Sequence, residues 1–102
     1  MIIRIVRERV REGSEAEYEA LLREAAVSLL AGSPGLMFFY LCRPVGGNES
    51  EFGVISLWRD LDSLQAFAGK RWRESLLTPE LAALVEESRV EHLDVLDRPK
   101  SP

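Results

Sequence analysis

Few side chains in this sequence could move a proton near neutral pH, and one stands apart. His92 is the only histidine among 102 residues, and imidazole is the side chain whose unperturbed pKa suits proton transfer near neutrality. Asp94 follows two residues later, a spacing that puts both on one face of a strand, where a carboxylate can orient an imidazole. The plainer reading is a strand histidine satisfied by Glu91 or Asp94. Arg4 or Arg7 could balance an anion and Tyr40 could present a hydroxyl, although strand arginines and a sheet tyrosine need no ligand to explain them. Trp58 and Trp72 offer flat apolar surface that either walls a cavity or anchors a core. Cys42 is alone, so no intrachain disulfide and no Cys-based metal cluster can be assembled. One histidine with dispersed carboxylates makes no metal site.

The elements that must position these residues follow from composition and periodicity. A chain of this length is one domain with a real core, and 46% hydrophobic with 29% charged residues is ordinary globular chemistry. The net charge of −4, with basic residues scattered among acids, excludes the positive stripe that a nucleic-acid backbone requires. MIIRIVRERV is too quickly charged for a secretory signal, and nowhere do 18 apolar residues run together. The expectation is a soluble, cytoplasmic protein that binds neither nucleic acid nor membrane.

Ile2 to Arg11 reads as a first strand, apolar on both faces in its first half and charged at Arg7, Glu8, Arg9 and Arg11. Gly13 breaks it, and Ser14 with Glu17 has the form of a capping box opening a helix that carries Tyr18, Leu21, Leu22, Ala25, Leu29 and Leu30 on one stripe and ends at Gly32-Ser33-Pro34. The run from Gly35 to Val45 is nearly continuous in large apolar residues, as in a strand contacted on both faces. Gly46, Gly47 and Asn48 turn it into a third strand, Glu51 to Arg59. Asp60 then caps a short helix with Leu61, Leu64, Phe67 and Ala68 inward, stopped by Gly69. Thr78-Pro79 opens another helix with Leu81, Leu84 and Val85 inward, and Arg89 to Leu96 is the last strand, leaving Arg98 to Pro102 as a tail beyond a domain of residues 1–97.

The order β-α-β-β-α-β predicts an α+β, ferredoxin-like domain with both helices on one face of a four-stranded antiparallel sheet. The first three strands are apolar on both faces, so the uncovered face should meet another sheet. A second copy of the chain is the simplest donor, giving a homodimer.

The whole run from Ile2 to Leu96, and particularly Ser56-Leu57-Trp58-Arg59 followed by Leu64-Gln65-Ala66-Phe67, resembles the antibiotic biosynthesis monooxygenase (ABM) family of dimeric α+β barrel proteins. The segments Ala68 to Trp72 and Val90-Glu91-His92 are similar to a bacterial branch of it. The superfamily includes cofactor-free quinol-forming monooxygenases, haem-degrading monooxygenases, isomerases, decarboxylases and members with no known activity. The resemblance implies a cavity between sheet and helices in which a small aromatic or polyketide-like phenol or quinol reacts with O₂ without metal, flavin or other cofactor. His92 would then be the base and Asp94 its orienter, with Trp58, Trp72, Tyr40, Phe67, Val6 and Arg4 around the substrate. In the haem-degrading branch a first-strand Asn, a second-helix Trp and an iron-ligating His would fall at Val6, Phe67 and about Leu77, none of which has the required group. Two classes of function follow: a cofactor-independent monooxygenase, and a non-catalytic dimer that binds a small hydrophobic ligand.

Overall fold

The structure, a computed structural model, describes residues 1–47 and 50–97. Asn48 of the expected turn and the tail Arg98 to Pro102 lie outside the described residues. The elements run β1 (Ile2–Val10), α1 (Glu15–Leu29), β2 (Leu36–Cys42), β3 (Glu51–Trp58), α2 (Leu61–Ala68), a 3₁₀ turn (Gly69–Arg71), α3 (Pro79–Ala82) and β4 (Val85–Asp94). The sheet order is β2-β3-β1-β4, with every neighbouring pair antiparallel. This is the split βαβ arrangement expected from the sequence.

Strand register decides which side chains share a face, because paired residues point the same way and successive ones alternate. Leu41 pairs with Val54, Val54 with Val6 and Val6 with Val90, a row on the face that α1 and α2 cover. Arg4 pairs with Ser56 and His92 in the same layer. Ile5, Ile55 and Tyr40 form the corresponding row on the opposite face. That face carries Ile3, Ile5, Ile55 and Leu57 half-buried and Phe38, Tyr40 and Leu93 exposed, with no helix over it among the described residues.

Two apolar clusters hold the covered face. Trp58 and Leu64 are fully buried with Ala26, Leu30 and Ala68 in one; Val10, Tyr18, Phe52 and Leu81 make the other. The junction from β3 into α2 is as its residues predict. Asp60 is extended, its carboxylate accepts from the Ser63 backbone N–H at 2.8 Å, and Gly69 ends the helix at φ 77°. Gly35, at φ +83°, lets β2 begin against this helix: a Cβ there would fall on the side chain of Ser63.

Three local expectations are corrected. Ser14 forms no capping box, because its backbone (φ −103°, ψ 6°) is not the extended one that aims a side chain at the helix N-terminus; it makes no side-chain cap bond. Leu61 does not turn inward with Leu64 but stays 39% exposed. The helix at Pro79 is a single turn, capped by Thr78 Oγ1, and β4 begins at Val85 instead of Arg89. The edge of β1 claims those residues: Val10 pairs with Val85, the Arg11 N–H donates to the Leu84 carbonyl at 2.8 Å, and a bulge at Arg9/Val10 absorbs the change of register. No helix among the described residues is long and apolar enough to cross a membrane.

Candidate functional site

A cavity of about 70 Å³ lies between the sheet and α1, bordered on one side by the irregular strap that follows the 3₁₀ turn. Its walls are mostly aliphatic, with Leu22 and Ala26 from α1 and Leu30 at its C-cap facing Val6, Val54 and Leu41 of the sheet. Four polar side chains interrupt them: Arg4 and Glu8 from β1, Ser56 from β3 and Ser75 from the strap. Ile2, Arg4, Val6, Glu8 and Val10 are the inward-facing residues of β1, so strand alternation alone carries two charged groups under the helices.

Arg4 is 4% exposed, and both Nη atoms of its guanidinium are engaged. Nη1 donates to the Trp72 carbonyl, Nη2 donates to the Glu74 carbonyl at 2.8 Å, and Nη1 lies 2.9 Å from His92 Nε2. Burial lowers the Arg4 pKa, and the charge of Glu8 acts against that shift. Guanidinium remains protonated in proteins and can only donate, so His92 Nε2 is the acceptor and the imidazole proton sits on Nδ1. Burial first, then the positive charges of Arg4 and Arg73, hold the His92 pKa below its ordinary value, so the ring is neutral at pH 7. The edge of His92 also meets the Trp72 ring at 4.8 Å between centroids, and the Arg73 guanidinium lies over the same indole at 4.3 Å.

Glu8 is 2% exposed. Its Oε1 accepts from Ser75 Oγ at 2.6 Å and its Oε2 accepts from Ser88 Oγ on β4. Desolvation raises its pKa, with the two serine hydrogen bonds and the charge of Arg4 opposing. Tyr18, fully buried on α1, has a hydroxyl with no hydrogen-bond partner among the described residues, and burial followed by the charge of Glu8 pushes its pKa up. The strap is thus tied to β1 by Arg4 at Trp72 and Glu74 and by Glu8 at Ser75.

Of the residues singled out from the sequence, Arg4, Val6 and Phe67 line the cavity. His92 is on the cavity side of the sheet but reaches it only through Arg4. Asp94 is not brought to His92: its carboxylate, 83% exposed, lies 4.0 Å from the amino terminus. Trp58 is core, packed on Phe67 at 5.0 Å and donating from Nε1 to Ser56 Oγ at 2.9 Å, so it backs the cavity through Ser56. Trp72 belongs to the strap, where its carbonyl is what Arg4 holds. Tyr40 lies on the opposite sheet face, 61% exposed, as its pairing with Ile55 requires. Arg7, also on that face, pairs with Glu91 at 3.3 Å. Glu8 and Ser75 are the residues that sequence reasoning missed. Glu8 sits in the charged run RERVRE and reads as solvated, yet its period-2 relation to Arg4 and Val6 carried the signal.

A ferredoxin-like sheet with a mostly apolar cavity under its helices, bordered by one buried cation and one buried carboxylate, makes this an α+β domain with an internal cavity. The chain belongs to the antibiotic biosynthesis monooxygenase family, which it matches over residues 1–76. The match covers β1 to the strap and stops before β4, so His92 lies beyond it. Similar solved structures include MhuD, a heme-degrader of Mycobacterium tuberculosis with two hemes bound in its active site, at 23% identity and TM-score 0.72 over 98% of this chain and 100% of that one. SnoaB, a cofactor-independent oxygenase of Streptomyces nogalater, is 23% identical with TM-score 0.70 over 95% and 94%. A protein of unknown function from Nitrosomonas europaea is 20% identical with TM-score 0.74 over 99% and 94%. At these identities the likeness is one of fold. No curated protein matches the sequence.

The residues present do not fit haem iron. The cavity lining contains no His, Cys, Met or Tyr, one of which the iron needs as an axial ligand. Val6, Phe67 and Leu77, the places where the haem-degrading pattern would need Asn, Trp and His, all converge on the cavity as apolar side chains. Among the described residues no three of His, Cys, Asp and Glu are grouped to hold a metal ion.

Proposed function

We propose that this protein is a cofactor-independent monooxygenase that binds a small phenol or hydroquinone in the cavity and exposes its phenolate form to O₂. The observation that carries this reading is Arg4, a buried guanidinium at the edge of a mostly apolar space in a chain of this family. A fixed positive charge in low dielectric favours the ionised ligand, and the phenolate is the electron-rich form that reacts with O₂. In the net reaction one oxygen atom enters the ring, becoming the second carbonyl of a quinone when the ligand is a phenol and a ring hydroxyl of the quinone when it is a hydroquinone, while the other leaves as water. The phenol supplies all four electrons. His92 then acts as a positioning residue: its Nε2 is occupied by Arg4 and aims the guanidinium. The apolar outer sheet face joins two copies in a homodimer.

Size sets a condition on this reading. The cavity of about 70 Å³ is roughly half of the ~150 Å³ that holds a benzene ring in a designed cavity. The ligand must therefore displace part of the strap. Its ties there are polar contacts to Arg4 and Glu8, which a ligand oxygen and hydroxyl can replace in kind. The occupied lone pair of His92 supports a second reading, a binding module with no turnover. A panel of one-ring and fused-ring phenols and hydroquinones separates the two. The oxygenase takes up O₂ above the uncatalysed rate and loses this in Arg4→Gln, whereas a binding module is stabilised thermally by a ligand and takes up none.

A further inference from the structure

We propose that Glu8 is the proton acceptor of this site, receiving the proton of a ligand hydroxyl that takes the place of Ser75 on its carboxylate; the assignment rests on the phenol reading above. Glu8 and Ser75 both border the cavity, and Ser75 Oγ occupies Glu8 Oε1 at 2.6 Å with the geometry that a phenolic O–H would use. Ser75 belongs to the strap that any aromatic ligand has to move, so Oε1 is vacated by the same event that opens the space. Ser88, on the β4 strand hydrogen-bonded to β1, keeps Oε2 and fixes the carboxylate.

The competing acceptors are each occupied or unsuited. His92 Nε2 already accepts from Arg4. Tyr18, the titratable group facing Glu8 from α1, is held protonated by burial and by the Glu8 charge. From β1 Arg4 faces Glu8 as a cation; Ser75 on the strap and Ser88 on β4 face it as neutral hydroxyls. Burial raises the Glu8 pKa and so brings this carboxylate closer to that of a phenol. The step balances without an oxidant. The ligand O–H bond breaks, its electron pair stays on the ligand oxygen in the field of Arg4, and the proton joins Glu8 Oε1.

The test uses the full chain and 4-nitrophenol, whose phenolate absorbs visibly, in lightly buffered solution with a pH indicator. The expected result for wild type is a bound probe that ionises with no proton appearing in solvent. In Glu8→Gln, which keeps the volume and hydrogen bonding of the side chain, the bound probe stays neutral or releases one proton per molecule bound. Ser75→Ala, with Glu8 intact, should bind the probe about 2- to 10-fold more tightly, the usual worth of one competing hydrogen bond. Binding to Glu8→Gln with the wild-type absorbance and proton count overturns this inference and leaves the cavity reading standing, as does unchanged affinity in Ser75→Ala. Absence of saturable binding to wild type overturns both.

Discussion

Replacing Arg4 by Met is the perturbation that the structure describes most completely. The variant keeps an unbranched stem of similar reach but withdraws the donors to the carbonyls of Trp72 and Glu74 and to His92 Nε2. Hydrogen bonds from a charged donor contribute about 1.5–3 kcal/mol each, so the three together set a gross loss of roughly 5–9 kcal/mol. Against this, the buried guanidinium no longer forgoes its hydration, a penalty of several kcal/mol for a buried ion, and the strap carbonyls near the surface recover water. The expected net loss is about 2–4 kcal/mol, or roughly 8–30 °C in Tm for a domain of this size. Urea unfolding followed by far-UV circular dichroism should show a lower midpoint with an unchanged slope, and hydrogen exchange at residues 72–76 should quicken more than in β1 or β3. An Arg4→Met protein within 0.5 kcal/mol of wild type, with the strap still protected, would refute the idea that Arg4 pins it.

Folding raises the pKa of Glu8 above its ordinary 4.5, so the folded state holds that proton more tightly and stability falls as pH climbs from there. Glu8→Gln should therefore gain on wild type between pH 4 and pH 8 in urea midpoints; a constant difference contradicts this. The His92 pKa is lowered from 6.5, so its contribution runs the other way, and His92→Gln should flatten the loss of stability below pH 6.5. Gly35→Ala places a Cβ on Ser63 at φ +83° and should lose about 2–5 kcal/mol, read by thermal unfolding. Light scattering should give twice the 11.5 kDa chain mass, and Leu93→Glu, on the exposed outer face, should return the monomer with its circular dichroism unchanged.

Elements with a local physical cause were legible in the sequence. Asp60 and Gly69 bound α2 because a cap and a positive φ are properties of single residues, and the β-branched run Val54-Ile55 makes β3 wherever it is placed. The site was legible only in part. Arg4, Val6 and Phe67 follow from strand and helix periodicity, which fixes a face, but periodicity does not say how far a strap will travel. Ser75 meets Glu8 across 67 positions of sequence through an irregular segment with no repeat to read. The pairing of His92 with Asp94 failed for a related reason: alternation put both on one face, yet Asp94 stands at the strand end beside the amino terminus, while the cross-strand neighbour Arg4 reached the imidazole. Cross-strand partners need the register, which comes from the assembled sheet. The early start of β4 has the same origin, since pairing along β1 as far as Val10, not local propensity, extended it to Val85.

The central claim is that the Arg4-edged cavity transfers one atom of O₂ to a phenolic ring. Mass spectrometry of the product formed under heavy-oxygen O₂, from whichever phenol or hydroquinone of the panel is turned over, tests it most directly. The account predicts one labelled oxygen per quinone, its formation lost in Arg4→Gln. An unlabelled quinone accompanied by hydrogen peroxide, or equal labelling with the Arg4→Gln protein, would contradict it.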